Sequence, residues 1–330
     1  MRKNKPGEFA WIDGIRRQFG PLVPSGMEGI GDDCAVVPVG GGESLVVTTD
    51  MLVEDVHFVR DRISPEDLGY KSLAVNLSDI AAMGAVPVAS FLSVGLPEGV
   101  NADWRERFLA GYKSLSEAFG VPLLGGDTTA SGKLVISVTA IGKAPDGQLK
   151  RRSGAKPGDI VCVTGNLGDS AAGLLLQGEK PEGEDEKALV AAHHRPKAYV
   201  KEGVWLGEQS AVHALMDVSD GIASDLVHIL EESGVAAVVD LDRLPVSASL
   251  KCVATKKGWD MEKLAVSGGE DYVLLFTVAE SGFSDLNQRY YSEFNTQLYP
   301  IGRIVSGEAE IGWRRNGLPV ERDWKGFEHF

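Results

Sequence analysis

The residues of this chain best suited to chemistry are acids placed at the ends of apolar stretches. Asp32 and Asp33 stand in GIGDDCA, Asp50 in TTD, Asp127 in GGDTT, Asp217 and Asp220 in MDVSDG, and Glu270 and Asp271 in SGGEDY. Asp79 sits differently, inside LGYKSLAVNLSDIAAMGA, among Ala, Leu, Ile and Met. Several of these acids follow Gly or Thr, so backbone and hydroxyl oxygens can approach the same ion. Hard cations such as Mg²⁺ take oxygen ligands and are commonly held by a few carboxylates together with substrate phosphates. A carboxylate buried alone is usually protonated, paired or bound to a metal. Two carboxylates about 5 Å apart repel by roughly 3 kcal/mol at an effective dielectric near 20. A cluster of them beside an anionic phosphate therefore calls for divalent cations. Each motif also has a plainer reading as a turn former or helix N-cap, and Asp79 as an acid near the solvated end of a helix. Spacing alone does not bring these acids together.

Other machinery is missing. The sequence holds no GxxxxGK[ST] phosphate loop, no HExxH zinc motif, no GxSxG elbow and no protein-kinase signature set. His193 and His194 are adjacent, and adjacent side chains on a helix diverge, so the pair is not expected to share a metal.

The elements that must position the acids follow from periodicity. The spacing predicts a helix over Leu68–Ala85, with Leu73, Leu77, Ile80 and Gly84 forming an apolar stripe. Ser72, Asn76, Asp79 and Met83 recur on a different face. Ser64-Pro65-Glu66-Asp67 supplies its start, with Pro in the first turn. Further helices are expected over 8–19, about Ala102–Phe119, GDSAAGLLLQ and Ile222–Glu232. Strands are expected over SLVVTTDML, VASFLSVGL, VPLLGGDTT, KLVISVTAIGK, DIVCVTG and VAAVVDL. Their alternation indicates a layered α/β (α+β) protein. EKPEGEDEK reads as a solvated acidic loop, and Asn316-Gly317 as a turn between short strands. Residues 143–159, which mix Pro, Gly and basic residues, read as a boundary dividing 1–148 from 149–330.

At 330 residues the chain is long enough for two domains, and 43% apolar with 24% charged residues is an ordinary globular profile. A net charge of −14 argues against nucleic acid as the main partner. A small phosphorylated substrate met through metal ions remains compatible with it. Cys34, Cys162 and Cys252 form no CxxC pair and are expected to be reduced core residues of a cytoplasmic protein. The basic start MRKNKPGEF has no apolar run behind it, so no signal peptide is expected. No window approaches a membrane-spanning length.

The ordered set GIGDDCAVV, TTDMLVEDVHF, YKSLAVNLSDIAAMGA, GGDTT, RSGAKPGD, VTGNLGDSAAGL, DVSDGIASDL, SGGEDY and DWKGFEHF resembles the thiamine-monophosphate kinase family, almost end to end. That family is similar in fold to aminoimidazole ribonucleotide synthetase. The resemblance implies two α/β domains and a homodimer whose N-terminal sheets pair into a barrel. It implies Mg²⁺-dependent transfer of the ATP γ-phosphate onto thiamine monophosphate, giving thiamine diphosphate, without nucleic acid or membrane partners. Carried over by motif, Asp33, Thr48, Thr49, Asp50, Asp79, Asp127, Asp217 and Asp220 correspond to metal ligands. Tyr112, Gly126, Asp127, Arg152 and Ser219 correspond to ATP contacts, and His57, Glu270 and Phe327 to groups meeting thiamine phosphate. Trp324 is a second candidate for stacking on the substrate, and Asp32 and Asp271 are further candidate contacts. The family usually has an acid after GGEDY, where this chain has Val273. Direct in-line transfer is expected, since no nucleophile stands apart from the acids. Arg152 would clamp phosphate, whereas Arg151 reads as a solvated linker residue. The alternatives are another ATP-dependent synthetase of the same fold, or a nucleotide-binding sensor without turnover. Selenophosphate synthetases use a reactive Cys or selenocysteine near a Gly-rich N-terminal arm, which this chain lacks.

Overall fold

The computed structural model describes residues 7–327. Most of the basic start and the last three residues of DWKGFEHF lie outside them. Two sheets form, one on each side of the 143–159 segment. The first half contains α1 (Glu8–Phe19), β1 (Ala35–Gly40), β2 (Glu43–Val53), α2 (Pro65–Ala82), β3 (Val86–Leu96), α3 (Ala102–Phe119), β4 (Leu123–Ala130) and β5 (Val135–Pro145). The second contains β6 (Ile160–Val163), α4 (Asp169–Leu176), α5 (Gly183–His194), α6 (Val200–Gly207), β7 (Val212–Asp217) and α7 (Ile222–Ser233). It continues with β8 (Ala236–Asp240), α8 (Ala248–Lys257), α9 (Met261–Ser267), β9 (Leu274–Val278), α10 (Glu280–Phe294), β10 (Tyr299–Val305), β11 (Ile311–Arg315) and β12 (Leu318–Pro319).

The first sheet runs β1-β2-β5-β3-β4 and the second β12-β11-β8-β10-β6-β9-β7. Both are mixed. Among the described strands, only β3 with β4 and β8 with β11 pair in parallel, and every other pair is antiparallel. Asn316 and Gly317 both take positive φ between β11 and β12, the conformation an Asn-Gly hairpin turn requires.

α2 lies between the two halves. Ser64 caps it by accepting the Asp67 N–H, and Pro65 opens its first turn. It packs on α3 and β5 on one side and on α6 and β7 on the other. Consequently Ser72, Asn76 and Ser78 are as buried as Leu73 and Leu77, so the helix is not the one-sided stripe its periodicity suggests. Its contact with α3 is closed by glycine on both sides. A Cβ at Gly69 would lie 2.0 Å from the Phe108 carbonyl oxygen, and one at Gly111 would lie 1.8 Å from that of Glu66.

Three further expectations are corrected. The acidic tract is not simply a solvated loop, because α5 begins at Gly183, and buried Glu186 accepts the Glu182 N–H at 2.6 Å. Cys34 and Cys162 are buried, but Cys252 is exposed, since α8 turns Leu250, Val253 and Ala254 inward on the opposite side. Arg151 is not free in solvent, because its guanidinium grips Glu28 through two bonds of 2.6 and 2.7 Å. Among the described residues no helix is long and apolar enough to cross a membrane.

Candidate active site

Three acids from three distant stretches meet where α2 passes between the halves. Asp33 precedes β1, Asp79 lies in the last turns of α2, and Asp217 ends β7. One carboxylate oxygen from each lies within 4.8 Å of those of the other two. Each acid is gripped through one oxygen. Thr48 Oγ1 donates to Asp79 Oδ2 at 2.5 Å, Ser78 Oγ donates to Asp217 Oδ2 at 2.5 Å, and Arg152 donates to Asp33 Oδ1 at 2.6 Å. Asp33 Oδ2 is buried with no hydrogen-bond partner among the described residues, a costly state for a carboxylate oxygen unless something binds it.

Asp50 stands beside this group, its N–H donating to Asn76 Oδ1 at 3.1 Å. Burial pushes its carboxyl up to about 6. Burial, reinforced by Asp33, raises Asp217 to about 8. Burial also holds Asp79 well above the usual carboxylate range, with Asp50 and Asp217 adding to it. Asp32 rises to about 7 through burial and Asp33, although it accepts the N–H groups of Asp33 and Arg152. Burial works against the charge on Arg152, but Asp33 and then Asp32 more than offset it, so its pKa is raised. Without metal the cluster therefore competes for protons, as crowded carboxylates must.

Thr48 and Thr49 are adjacent on a strand and face opposite ways. Thr48 reaches Asp79, whereas Thr49 Oγ1 donates to the Val138 carbonyl at 3.1 Å and meets Thr139. Asp127 is exposed on the edge strand β4 and is not among the three acids that converge. Its register partner is Ser93, itself opposite Ser137, which faces Met51. That row lies on the sheet face turned away from α2. Gly126, at φ +150, lets β4 pass against β3, since a Cβ there would lie 1.7 Å from the Leu92 carbonyl oxygen. Gly126 and Asp127 line a cavity of about 490 Å³ with Leu92, Trp104, Phe108 and Leu109. Tyr112 belongs to α3 and turns into the core, 2% exposed.

Ser219 and Asp220 form the turn after β7 and tie two remote segments together. The Ser219 carbonyl accepts the Glu270 N–H at 2.7 Å, and the Asp220 carbonyl accepts the Phe327 N–H at 3.2 Å. Glu270 and Phe327 thus flank one loop. His57 belongs to the turn after β2, where its Nδ1 accepts the Val53 N–H at 3.0 Å. Asp271 is a helix cap, accepting the N–H groups of Gly168 and Ser170 before and within the first turn of α4. Val273 is buried in the core of the second half and takes no part in the site. Trp324 packs edge-on against Trp313 in that same core.

Sequence reasoning missed Asn76 and Ser78 as orienting groups, although Asn76 shares the polar spacing of Asp79. It also missed Asp225, whose buried carboxylate accepts the Asp220 and Gly221 N–H groups and so shapes the DVSDG turn.

Residues 31–144 match the AIR synthase related protein, N-terminal domain, and residues 156–313 match the corresponding C-terminal domain. The chain is 41% identical over 331 residues to the thiamine-monophosphate kinase of Salmonella typhimurium, with 98% of each covered. It is 38% identical to that of Aquifex aeolicus, with 100% of each covered. Among solved structures it is similar to AaThiL complexed with AMPPCP and TMP. That match has a TM-score of 0.86 at 36% identity and covers 100% of this chain and 99% of that one.

Proposed function

Because the chain belongs to the thiamine-monophosphate kinase family, we propose that it transfers the γ-phosphate of ATP directly onto thiamine monophosphate, giving thiamine diphosphate. The observation that carries this reading is the meeting of Asp33, Asp79 and Asp217, with Asp33 Oδ2 buried and unpartnered among the described residues. An all-oxygen set of acids suits Mg²⁺ better than softer metals. Asp33, Asp79 and Asp217 would hold it, with Asp50 beside them and Thr48 aiming Asp79. When bound, Mg²⁺ supplies charge neutralisation for the carboxylates and for the phosphoryl group in transit.

The chain's own groups do the positioning. Thr48, Ser78 and Arg152 each fix one carboxylate oxygen, so the three acids are oriented toward one another before any ligand arrives. Arg152 Nε is buried without a hydrogen-bond partner among the described residues, leaving a donor beside the acids for a phosphate oxygen. Ser219 and Asp220 present their backbone to the same region, with Glu270 and Phe327 on either side to take the cationic thiazolium and the pyrimidine ring. The apolar cavity under Gly126 and Asp127 suits a flat purine base, with Tyr112 closing the layer behind it.

The division into 1–148 and 149–330 is supported by the change of sheet between β5 and β6. A homodimer is supported by the bare face of the first sheet, where Met51, Val86, Val88 and Phe91 are exposed although apolar. Thr49 and Asp127 lie on that face and would look toward the second copy. A cytoplasmic location accords with three free cysteines.

The test is incubation of the pure protein with ATP, Mg²⁺ and thiamine monophosphate. Formation of thiamine diphosphate, abolished by chelator with the fold intact, is expected. Binding of both ligands without product would leave a sensor.

A further inference from the structure

α2 carries a buried charged side chain that the metal cluster does not use. Lys71 is 1% exposed, yet it is a lysine. Its Nζ donates to Glu270 Oε2 at 3.0 Å. A fully buried ammonium persists only when paired, and this pair joins α2 to the SGGEDY loop across 199 positions of sequence.

The same oxygen has a second neighbour. His193 Nδ1 lies 3.2 Å from Glu270 Oε2, and Ser170 Oγ lies 3.0 Å from that nitrogen. Burial, then the Lys71 charge and His194, hold His193 down to about 2, so its ring is neutral. Lys71 is therefore the charge that faces Glu270 from α2, and His193 adds a neutral contact from α5. Both contacts fall on Oε2. The Glu270 backbone is constrained as well. Its φ of +64 is a left-handed conformation unusual for a residue with a side chain, and its N–H is held by Ser219.

We propose that Lys71 is a positioning residue that fixes the Glu270 carboxylate, from inside α2, as the anionic receptor for the cationic thiazolium of thiamine monophosphate. This rests on the reading that Glu270 meets thiamine phosphate, and extends it to a residue that never touches the substrate. A side chain that reaches its partner only through the protein interior can set the partner's position without affecting nucleotide binding. Its loss frees Glu270 to swing on its strained backbone or to recruit another cation.

The experiment compares Lys71→Met, Lys71→Gln, Lys71→Arg and Glu270→Gln by steady-state kinetics with each substrate varied in turn, alongside thermal melts. Lys71→Met and Lys71→Gln are expected to raise the KM for thiamine monophosphate about tenfold, leaving the KM for ATP and kcat within about twofold. Lys71→Arg restores the KM to within about threefold of the parent. Lys71→Met combined with Glu270→Gln should be no worse than Glu270→Gln alone, because the lysine acts through the glutamate. Equal rises in both KM values, lowered melting with unchanged KM, or failure of both neutral variants to fold would make Lys71 a purely structural ion and overturn the proposal. If Glu270→Gln leaves the KM for thiamine monophosphate unchanged, the reading of Glu270 itself fails. If that KM rises while the Lys71 variants behave as the parent, only the positioning role fails.

Discussion

Asp79 is the residue at which metal binding and folding pull in opposite directions. Its buried carboxylate is crowded by Asp50 and Asp217 and anchored by Thr48. Asp79→Asn keeps an acceptor for the Thr48 hydroxyl and removes the repulsion. We expect turnover to fall by more than ~100-fold, while the melting temperature in chelator stays level or rises. A strongly lowered melting temperature would contradict this. The pH dependence has a definite sign. A carboxyl whose pKa rises on folding keeps its proton in the folded state. Its stabilising contribution is complete below its ordinary value of 3.8 and is lost as pH climbs through the folded value, about 6 for Asp50 and about 8 for Asp217. Metal-free protein should therefore melt progressively lower between pH 5 and pH 9, and Mg²⁺ should restore most at the alkaline end. Asp217→Asn should flatten that profile in differential scanning fluorimetry. The acids themselves were legible in the sequence, because acids at the ends of apolar runs are conspicuous. Their orienting partners were not. Ser78 meets Asp217 across 139 positions, and nothing local to a serine in a helix announces such a contact.

At the scale of elements, α2 and its start were readable from Ser64-Pro65 and the three- and four-residue recurrence. Its all-round burial was not readable, because that depends on which helices approach it, and small residues permit the approach without specifying it. The glycine crossing makes this testable. Gly69→Ala places a methyl group 2.0 Å from the Phe108 carbonyl oxygen, so α2 and α3 must part. We expect a loss of about 2 kcal/mol, read as a melting temperature lower by roughly 4–8 °C. An unchanged melting temperature would mean that the crossing relaxes freely. The acidic tract erred in the other direction. Glu186 looked like one more solvated charge, but it caps its own helix by accepting the Glu182 N–H, a local bond hidden by the charge density around it.

For the whole molecule, the layered α/β character followed from alternating strands and helices, but the strand order and the predominance of antiparallel pairing did not. Register is settled by contacts between strands far apart in sequence, such as β6 with β10. The bare face of the first sheet was equally silent, since Met51 and Phe91 read as ordinary strand residues. If that face is the dimer interface, Phe91→Glu should convert a dimer of about twice 35.2 kDa to monomer by light scattering. Because Thr49 and Asp127 share the face, turnover should fall with it. A variant that remains dimeric would place the contact elsewhere.

Lys71 and Asp79 are eight positions apart on one unbroken helix, a separation of about 12 Å along its axis. Inserting a single residue between them would turn one against the other by about 100° and break the alignment of both. Descent can therefore lengthen or trim this chain in its loops, as around 178–183, but not between those two residues. Homologous chains laid side by side should show an ungapped block there, however far their sequences have drifted.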